Sequence, residues 1–452
     1  MPRGLLFGFL AGTPGLPVAT LDRSPWCRVG ACHAANAGRN DPGGSGSVGC
    51  MSDHVAVLAD LVRRPSVNPM GRDVSGPEYL EGRVSEWLVQ RFTAAGIPWA
   101  RQPVAPGRDN VLARLEAGRA DAPVLLWDAH QDTVPADGMT IEPFAPTIRD
   151  GRLHGRGACD VKGGMAAMLT ALERLRAGPR HATVVFSATV NEEFGFSGVR
   201  ALARLWGGGP DEPGDGPARR LLGGRPALAI VAEPTGLDLV TQHKGAVRWR
   251  VRVHGRACHS AHPERGDNAI YHAGRAILAV ESLAAQLAGR EPGHPCGPPT
   301  LNLGTVRGGS GVNLVPDLVI LEIDRRLVPG ESPTAARDEV MARVAAACPG
   351  VRIEHEPPFL ESAGLPDGTA TPAARDWVGR LEAAARGAGG GRRVAARYGT
   401  NASILAAAGV PAVVFGPGSI EQAHTADEWI ELAQVDAAAG VLRAVVAAPA
   451  GG

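Results

Sequence analysis

The sequence predicts an α/β protein whose main sheet is covered on both faces and whose chain detours into a smaller inserted α+β unit. Three observations carry that expectation. From Met51 onward, apolar runs of strand length alternate with helical stretches. The runs are short and nearly continuous, as a doubly covered sheet demands. Between about residues 241 and 357 the texture changes to strands of alternating character framing two helices.

Residues 4–12 are a short apolar stretch behind Arg3, but Pro14 and Pro17 follow at once, and no segment approaches the roughly 20 apolar residues of a membrane helix. Residues 13–50 are irregular and rich in Gly, Pro and Ser. The expectation is that residues 1–50 are a disordered extension, or that Met51 is the true start, which an intact mass beginning at Met1 would refute. A helix pattern then begins with Val55, Leu58, Leu61 and Val62. Residues 124–127, 183–190, 228–232 and 412–415 read as buried strands, and 164–176 and 199–206 as helices. In the insert, strands at 247–253, 300–306 and 318–325 and helices at 268–287 and 334–348 suggest the order β-α-β-β-α-β of a ferredoxin-like unit. The Gly- and Pro-rich stretches 207–225 and 292–299 read as surface loops.

Composition narrows the function. The chain has 452 residues, enough for two or three domains, with 46 Lys and Arg balancing 46 Asp and Glu. A net charge of zero gives no steering toward nucleic acid or an acidic membrane. Sixty glycines and 37 prolines make the chain loop-rich, yet 44% apolar residues in periodic blocks argue for a packed core. The seven cysteines are odd in number and lack paired spacing. Cys27, Cys32 and Cys50 precede the first periodic segment, while Cys159, Cys258, Cys296 and Cys348 are far apart. They read as reduced thiols of a cytoplasmic protein, with neither a disulfide framework nor a thiolate zinc site.

Chemistry-bearing residues collect where the predicted strands end. After 124–127 come His130 and Asp132, which a period of two sends to the same side; an imidazole could ligate a metal while the carboxylate accepts a hydrogen bond from its other nitrogen. The glycine-dense turn 155–164 centres on Asp160. It lacks the spacing of a phosphate-binding loop, and an acid there would repel phosphate, whereas a carboxylate on a rigid turn can bridge two cations. Strand 183–190 ends in Asn191-Glu192-Glu193. Adjacent acids repel unless their roles divide, one on a metal and one as general base. Strand 228–232 ends at Glu233, and 412–415 leads to His424, Asp427 and Glu428. Each motif alone has an ordinary reading as polar turn residues; together they mark a site at strand termini, where α/β sheets place their ligands.

The segments AHQDTVP, GRGACDVKGG, NEEFG, AEPT and GPGSIEQAHTADE, in that order and spacing, resemble the zinc metallopeptidase family of acetylornithine deacetylase, succinyl-diaminopimelate desuccinylase and glutamate carboxypeptidase. The resemblance runs from about Met51 to the C-terminus. It implies a zinc-exopeptidase-like catalytic domain with a mostly parallel central sheet, made of residues 51–240 and 358–452, and a lid and dimerisation domain at 241–357. It implies two divalent metal ions, zinc in the first place and cobalt as the alternative. His130, Asp160 and Glu233 would hold one, and Asp160, Glu193 and His424 the other, with Asp160 bridging. Asp132 would orient His130, and Glu192 would be the general acid/base acting on a bridging water. In the insert, His259 resembles the histidine that reaches into the partner subunit's site to stabilise the oxyanion. Asn313 and Arg326 resemble the residues holding a substrate carboxylate, and Arg325 alternates to the opposite strand face.

The resemblance implies hydrolysis of the amide bond in an N-acyl amino acid, in the manner of acetylornithine deacetylase, by a homodimer that needs neither nucleic acid nor membrane. Asn401 stands where relatives often carry an acid, which separates the expectation from ornithine itself. Desuccinylation, or dipeptidase or carboxypeptidase action, is the alternative within the family, and it would require further cationic groups for a second carboxylate. A non-catalytic dimeric binding protein is the alternative of another class, and metal content separates it.

Overall fold

The computed structural model describes residues 53–207, 215–290, 293–369 and 371–447. The expectations for residues 1–50 and Met51 lie outside these described residues. The four expected strands form as Val124–His130, Thr183–Thr189, Leu228–Val231 and Ala412–Val414. They lie parallel at the centre of an eight-stranded sheet, in the spatial order 183–189, 124–130, 228–231, 412–414. Trp127 pairs with Phe186 on one side and Ile230 on the other, and every residue of Thr183–Thr189 is buried. The antiparallel hairpin of Trp99–Ala105 and Arg108–Leu115 extends one edge, and Leu239–His243 with Arg393–Ala396 extends the other.

The pleat sends successive side chains to opposite cores. Leu125, Trp127 and Ala129 pack with helices Asp53–Val62, Gly82–Ala95, Gly163–Arg174, Pro372–Arg386 and Leu432–Val446. Leu126, Val185 and Ala229 pack on the other face with Ser197–Arg204, Asp215–Leu222 and Asn401–Ala407. Helix Gly163–Arg174 is buried from Gly163 through Leu172, as its apolar residues on all sides require. Its first glycine permits a close approach, since a Cβ there would lie 2.4 Å from Ile430 Cδ1.

The expected surface loop at 207–225 is corrected in part, because Asp215–Leu222 is a helix that buries Ala218 and Leu222. Its Gly216 and Pro217 suggested a loop, but proline is tolerated in a first helical turn, where its missing N–H has no intrahelical partner. Gln102 Nε2 donates to Asp215 Oδ1 at 2.7 Å and ties the start of this helix to the sheet edge.

The insert has the expected order. Strands Gly245–His254, Thr300–Gly308, Leu318–Leu327 and Ile353–His355 pair antiparallel in the spatial order 300–308, 318–327, 245–254, 353–355, and Leu360–Ser362 also pairs with Gly245–His254. Val247, Trp249, Val251 and Val253 pack under helices Ala269–Ala288 and Pro333–Ala347, so Arg248, Arg250 and Arg252 point to the opposite face. Asn268 caps the first helix by accepting from Ile270 N and Tyr271 N, and Ser332 with Pro333 starts the second. Cys159, Cys258, Cys296 and Cys348 are free thiols, and no described helix is long and apolar enough to cross a membrane.

Candidate metal centre and active site

Because the four central strands run parallel, their C-terminal ends share one edge of the sheet. His130 closes Val124–His130, Glu192 and Glu193 follow Thr183–Thr189, and Glu233 follows Leu228–Val231. Asp160 comes from the turn before helix Gly163–Arg174. Its Oδ1 lies 3.0 Å from His130 Nε2 and its Oδ2 lies 3.2 Å from His424 Nε2, which is 3.5 Å from Glu193 Oε2. Candidate ligand atoms of His130, Asp160 and Glu193 all lie within 4.8 Å of one another. Asp160, Glu192, Glu193, Glu233 and His424 line one cavity, and Arg326 from the insert lines it too.

Four carboxylates and two imidazoles at one cleft leave an excess of negative charge. Burial, reinforced by Asp160, raises the proton affinity of Glu193 and pushes that of Glu233 well above the usual carboxylate range. Glu192 is pushed well up by burial and by Glu193, Asp132 and Asp160, against the opposing pull of His130. Burial opposes charge on Asp160, but hydrogen bonds from His130 and His424 outweigh it and hold this carboxyl well below the usual range. The same contact with Asp160, joined by Glu193, lifts His424 to about 11. For His130, burial opposes the charge and is outweighed by the bond to Asp160 and the field of Glu192. Glu193 Oε1 is buried with no hydrogen-bond partner. Oxygen and imidazole donors that converge with an orphaned carboxylate oxygen fit a divalent cation.

The supporting residues differ from the sequence expectation at one point. His130 Nδ1 donates to the backbone carbonyl of Asp132 at 2.9 Å, while the Asp132 carboxylate stands 3.8 Å away. That carboxylate instead accepts from Glu192 N and Glu193 N, each at 3.1 Å, and from Asn68 Nδ2 at 2.8 Å. Asp132 therefore holds the turn that presents both glutamates, and the main chain orients the imidazole.

Two further supports were given no role by sequence reasoning. Glu428, buried, accepts from the backbone N–H of Gly157, Cys159 and Asp160 at 2.9, 2.8 and 3.0 Å and from Arg156 Nη1 at 2.8 Å. It clamps the turn carrying Asp160. An acid ending the GPGSIEQAHTADE segment was the available signal. Asn68 and Asn191, bonded at 2.9 Å, join the Asp132 turn to Arg108 and Glu81, and nothing local in the sequence marks Asn68. Asn401 lies beneath the cavity, donating to Asp128 Oδ2 and Thr189 Oγ1, each at 2.9 Å.

Of the insert residues, Arg326 reaches the cavity, while Arg325 turns to the opposite face and pairs with Glu331 at 2.6 Å. His259 and Asn313 do not line it. They sit beside each other on the insert, where Ser260 N donates to Asn313 O at 3.0 Å and His259 pairs with Leu314.

The profile of Peptidase family M20/M25/M40 matches residues 126–448. The chain belongs to this family. An acetylornithine deacetylase of Proteus mirabilis (strain HI4320) is 31% identical over 395 residues, covering 84% of this chain and 93% of that protein. In fold, the chain is similar to a tripeptidase of Staphylococcus aureus subsp. aureus Mu50 (21% identity, TM-score 0.66, 87% of this chain and 96% of that one). It is also similar to a dinuclear metal-binding M20 peptidase of Bacillus subtilis (18% identity, TM-score 0.59, 87% and 96%). As an M20 member the protein is a metal-dependent hydrolase of amide bonds.

One measurable consequence follows from the protonation of this M20 centre. A ligating imidazole must give up the proton that Asp160 stabilises, and the raised carboxyls must give up theirs. Cation binding is therefore expected to release protons and to tighten as pH rises. Calorimetry in two buffers of different ionisation enthalpy measures this; a binding heat independent of buffer would contradict it.

Proposed function

We propose that the protein hydrolyses the amide bond of an N-acyl amino acid as an acetylornithine deacetylase-like deacylase with two divalent cations, zinc first and cobalt as the alternative. His130, Asp160 and Glu233 would hold one cation, and Asp160, Glu193 and His424 the other. When bound, the cations would lower the pKa of water and polarise the acyl carbonyl. The supporting observation is that Glu192, outside this ligand set, shares one cavity with four of its members, Asp160, Glu193, Glu233 and His424, and with Arg326. Glu192 takes the proton of the attacking water and passes it to the leaving amine. Arg326 offers a planar fork to the substrate carboxylate.

The insert at 241–357 acts as lid and dimerisation unit. His259 and Asn313 stand off the cavity of their own chain, beside the exposed apolar Val312 and Leu314. They fit a role in a neighbouring copy, where His259 of the partner subunit donates to the oxyanion formed as the carbonyl is attacked. Four free thiols suit a cytoplasmic setting.

The test is primary-amine release from N-acetyl, N-succinyl and N-formyl amino acids and dipeptides, with zinc or cobalt and with a chelator, on protein whose mass has been measured by light scattering. Chelator-sensitive release by a species of twice the chain mass is expected. No release from any member of the panel by folded, metal-loaded dimer would overturn the reading.

A further inference from the structure

Resting on that reading, the geometry points to a second-carboxylate subsite built by Arg248 with Arg326 and Ser362. We infer that the substrate is an N-acyl amino acid bearing two carboxylates, the second on either the acyl group or the side chain. Three adjacent strands of the insert's sheet supply the wall. Register places Arg326 opposite Ala246 and Ala246 opposite Ser362, while in the next row Asp324 faces Arg248 and Arg248 faces Leu360. Arg248, Arg326, Ala246, Leu360 and Ser362 all line the cavity that holds Glu192 and the candidate ligands. The methyl group of Ala246 leaves space between a guanidinium and a hydroxyl.

The polar groups on this wall have unspent donors. Arg248 Nε and Arg326 Nε each donate to Asp324 Oδ2 at 3.2 Å. Among the described residues the Nη groups of both have no protein hydrogen-bond partner. Ser362 is 3% exposed, and its Oγ has none either. Asp324 fixes the two planar groups by one edge and neutralises only one of them. A buried hydroxyl and two guanidinium edges with no acceptor suit carboxylate oxygens.

The same wall disfavours a cationic side chain. The acids lining the cavity are Asp160, Glu192, Glu193 and Glu233, all belonging to the catalytic cluster, and Asp324, outside that lining, holds two arginines through Oδ2 while its Oδ1 has no hydrogen-bond partner. An ornithine ammonium would face two guanidinium groups that share the single carboxylate of Asp324, whereas a second carboxylate finds Arg248.

Titration calorimetry of the metal-loaded full chain with glutarate and with butyrate tests the subsite without turnover. Glutarate is expected to bind about tenfold or more tighter, the gap collapsing in Arg248→Met and partly returning in Arg248→Lys. Equal binding of the two acids, or a gap unchanged in Arg248→Met, would overturn it. Hydrolysis of N-acetyl-L-glutamate, N-succinyl-L-norvaline, N-acetyl-L-norvaline and N-acetyl-L-ornithine locates the second carboxylate. Preference for N-acetyl-L-glutamate assigns it to the side chain, and preference for N-succinyl-L-norvaline assigns it to the acyl group. A higher kcat/KM for N-acetyl-L-ornithine than for both diacids would refute the inference. Silence of the whole panel with Arg248-dependent glutarate binding would discard the proposed reaction and retain the subsite.

Discussion

Glu192→Gln is expected to lower kcat for amine release by about 10²- to 10⁴-fold, the range of a positioned general base. The amide keeps the shape and the backbone bond from Glu192 N to Asp132 Oδ1 at 3.1 Å, but it cannot accept a proton at neutral pH. Glu192 is absent from the proposed ligand set, so metal content should match the unaltered protein, and the buried site should stay packed. Glu192→Asp, with the carboxylate withdrawn by one methylene, should fall between. Turnover of Glu192→Gln within a few-fold of the original, at equal metal content, would remove the assigned base. A parallel loss of metal would instead move Glu192 into the ligand set.

The second large effect is on stability. Glu428→Ala should destabilise the protein by about 3–5 kcal/mol, since it leaves the buried Arg156 guanidinium without its partner and three backbone N–H groups without their acceptor. Arg156 and Glu428 are 3% and 1% exposed at their side chains, so water cannot easily replace the lost contact. The loosened turn carries Asp160, so cation affinity should fall as well. Equilibrium denaturation of metal-free protein separates the two losses. A change below about 1 kcal/mol would show that the turn is held by its neighbours and not by this carboxylate.

How much of this was legible depended on whether the signal was local. The central strands announce themselves as short, nearly continuous apolar runs because both faces are covered, as at residues 124–127 and 184–186. The residues that meet at the cleft could be named because each follows a strand end, and parallel strands finish on one edge. The short helix Asp215–Leu222 escaped because its Gly and Pro occupy the one helical turn that tolerates them. Asn68 went unnamed and Glu428 was named without a role because their partners lie 64 and some 270 residues away in sequence. Asp132 was assigned to the right neighbourhood, with its carboxylate 3.8 Å and its carbonyl 2.9 Å from His130 Nδ1: periodicity predicts on which side of a strand a residue lies, but not which of its oxygens is nearer.

By itself, the sequence determined the α/β class, the ferredoxin-like order of the insert and the family, since these follow from periodicity and from motifs that are contiguous in the chain. Only the tertiary structure decided what faces what: that Asp160 stands between His130 and His424, that Glu428 clamps the turn beneath it, and that Arg248 and Ser362 join Arg326 on one wall. The reason is physical. Hydrophobic patterning acts over a few residues and survives translation into one dimension, whereas the charge balance of a buried site is set by groups brought within a few ångströms through sheet pairing and strand register, which no stretch of sequence records on its own.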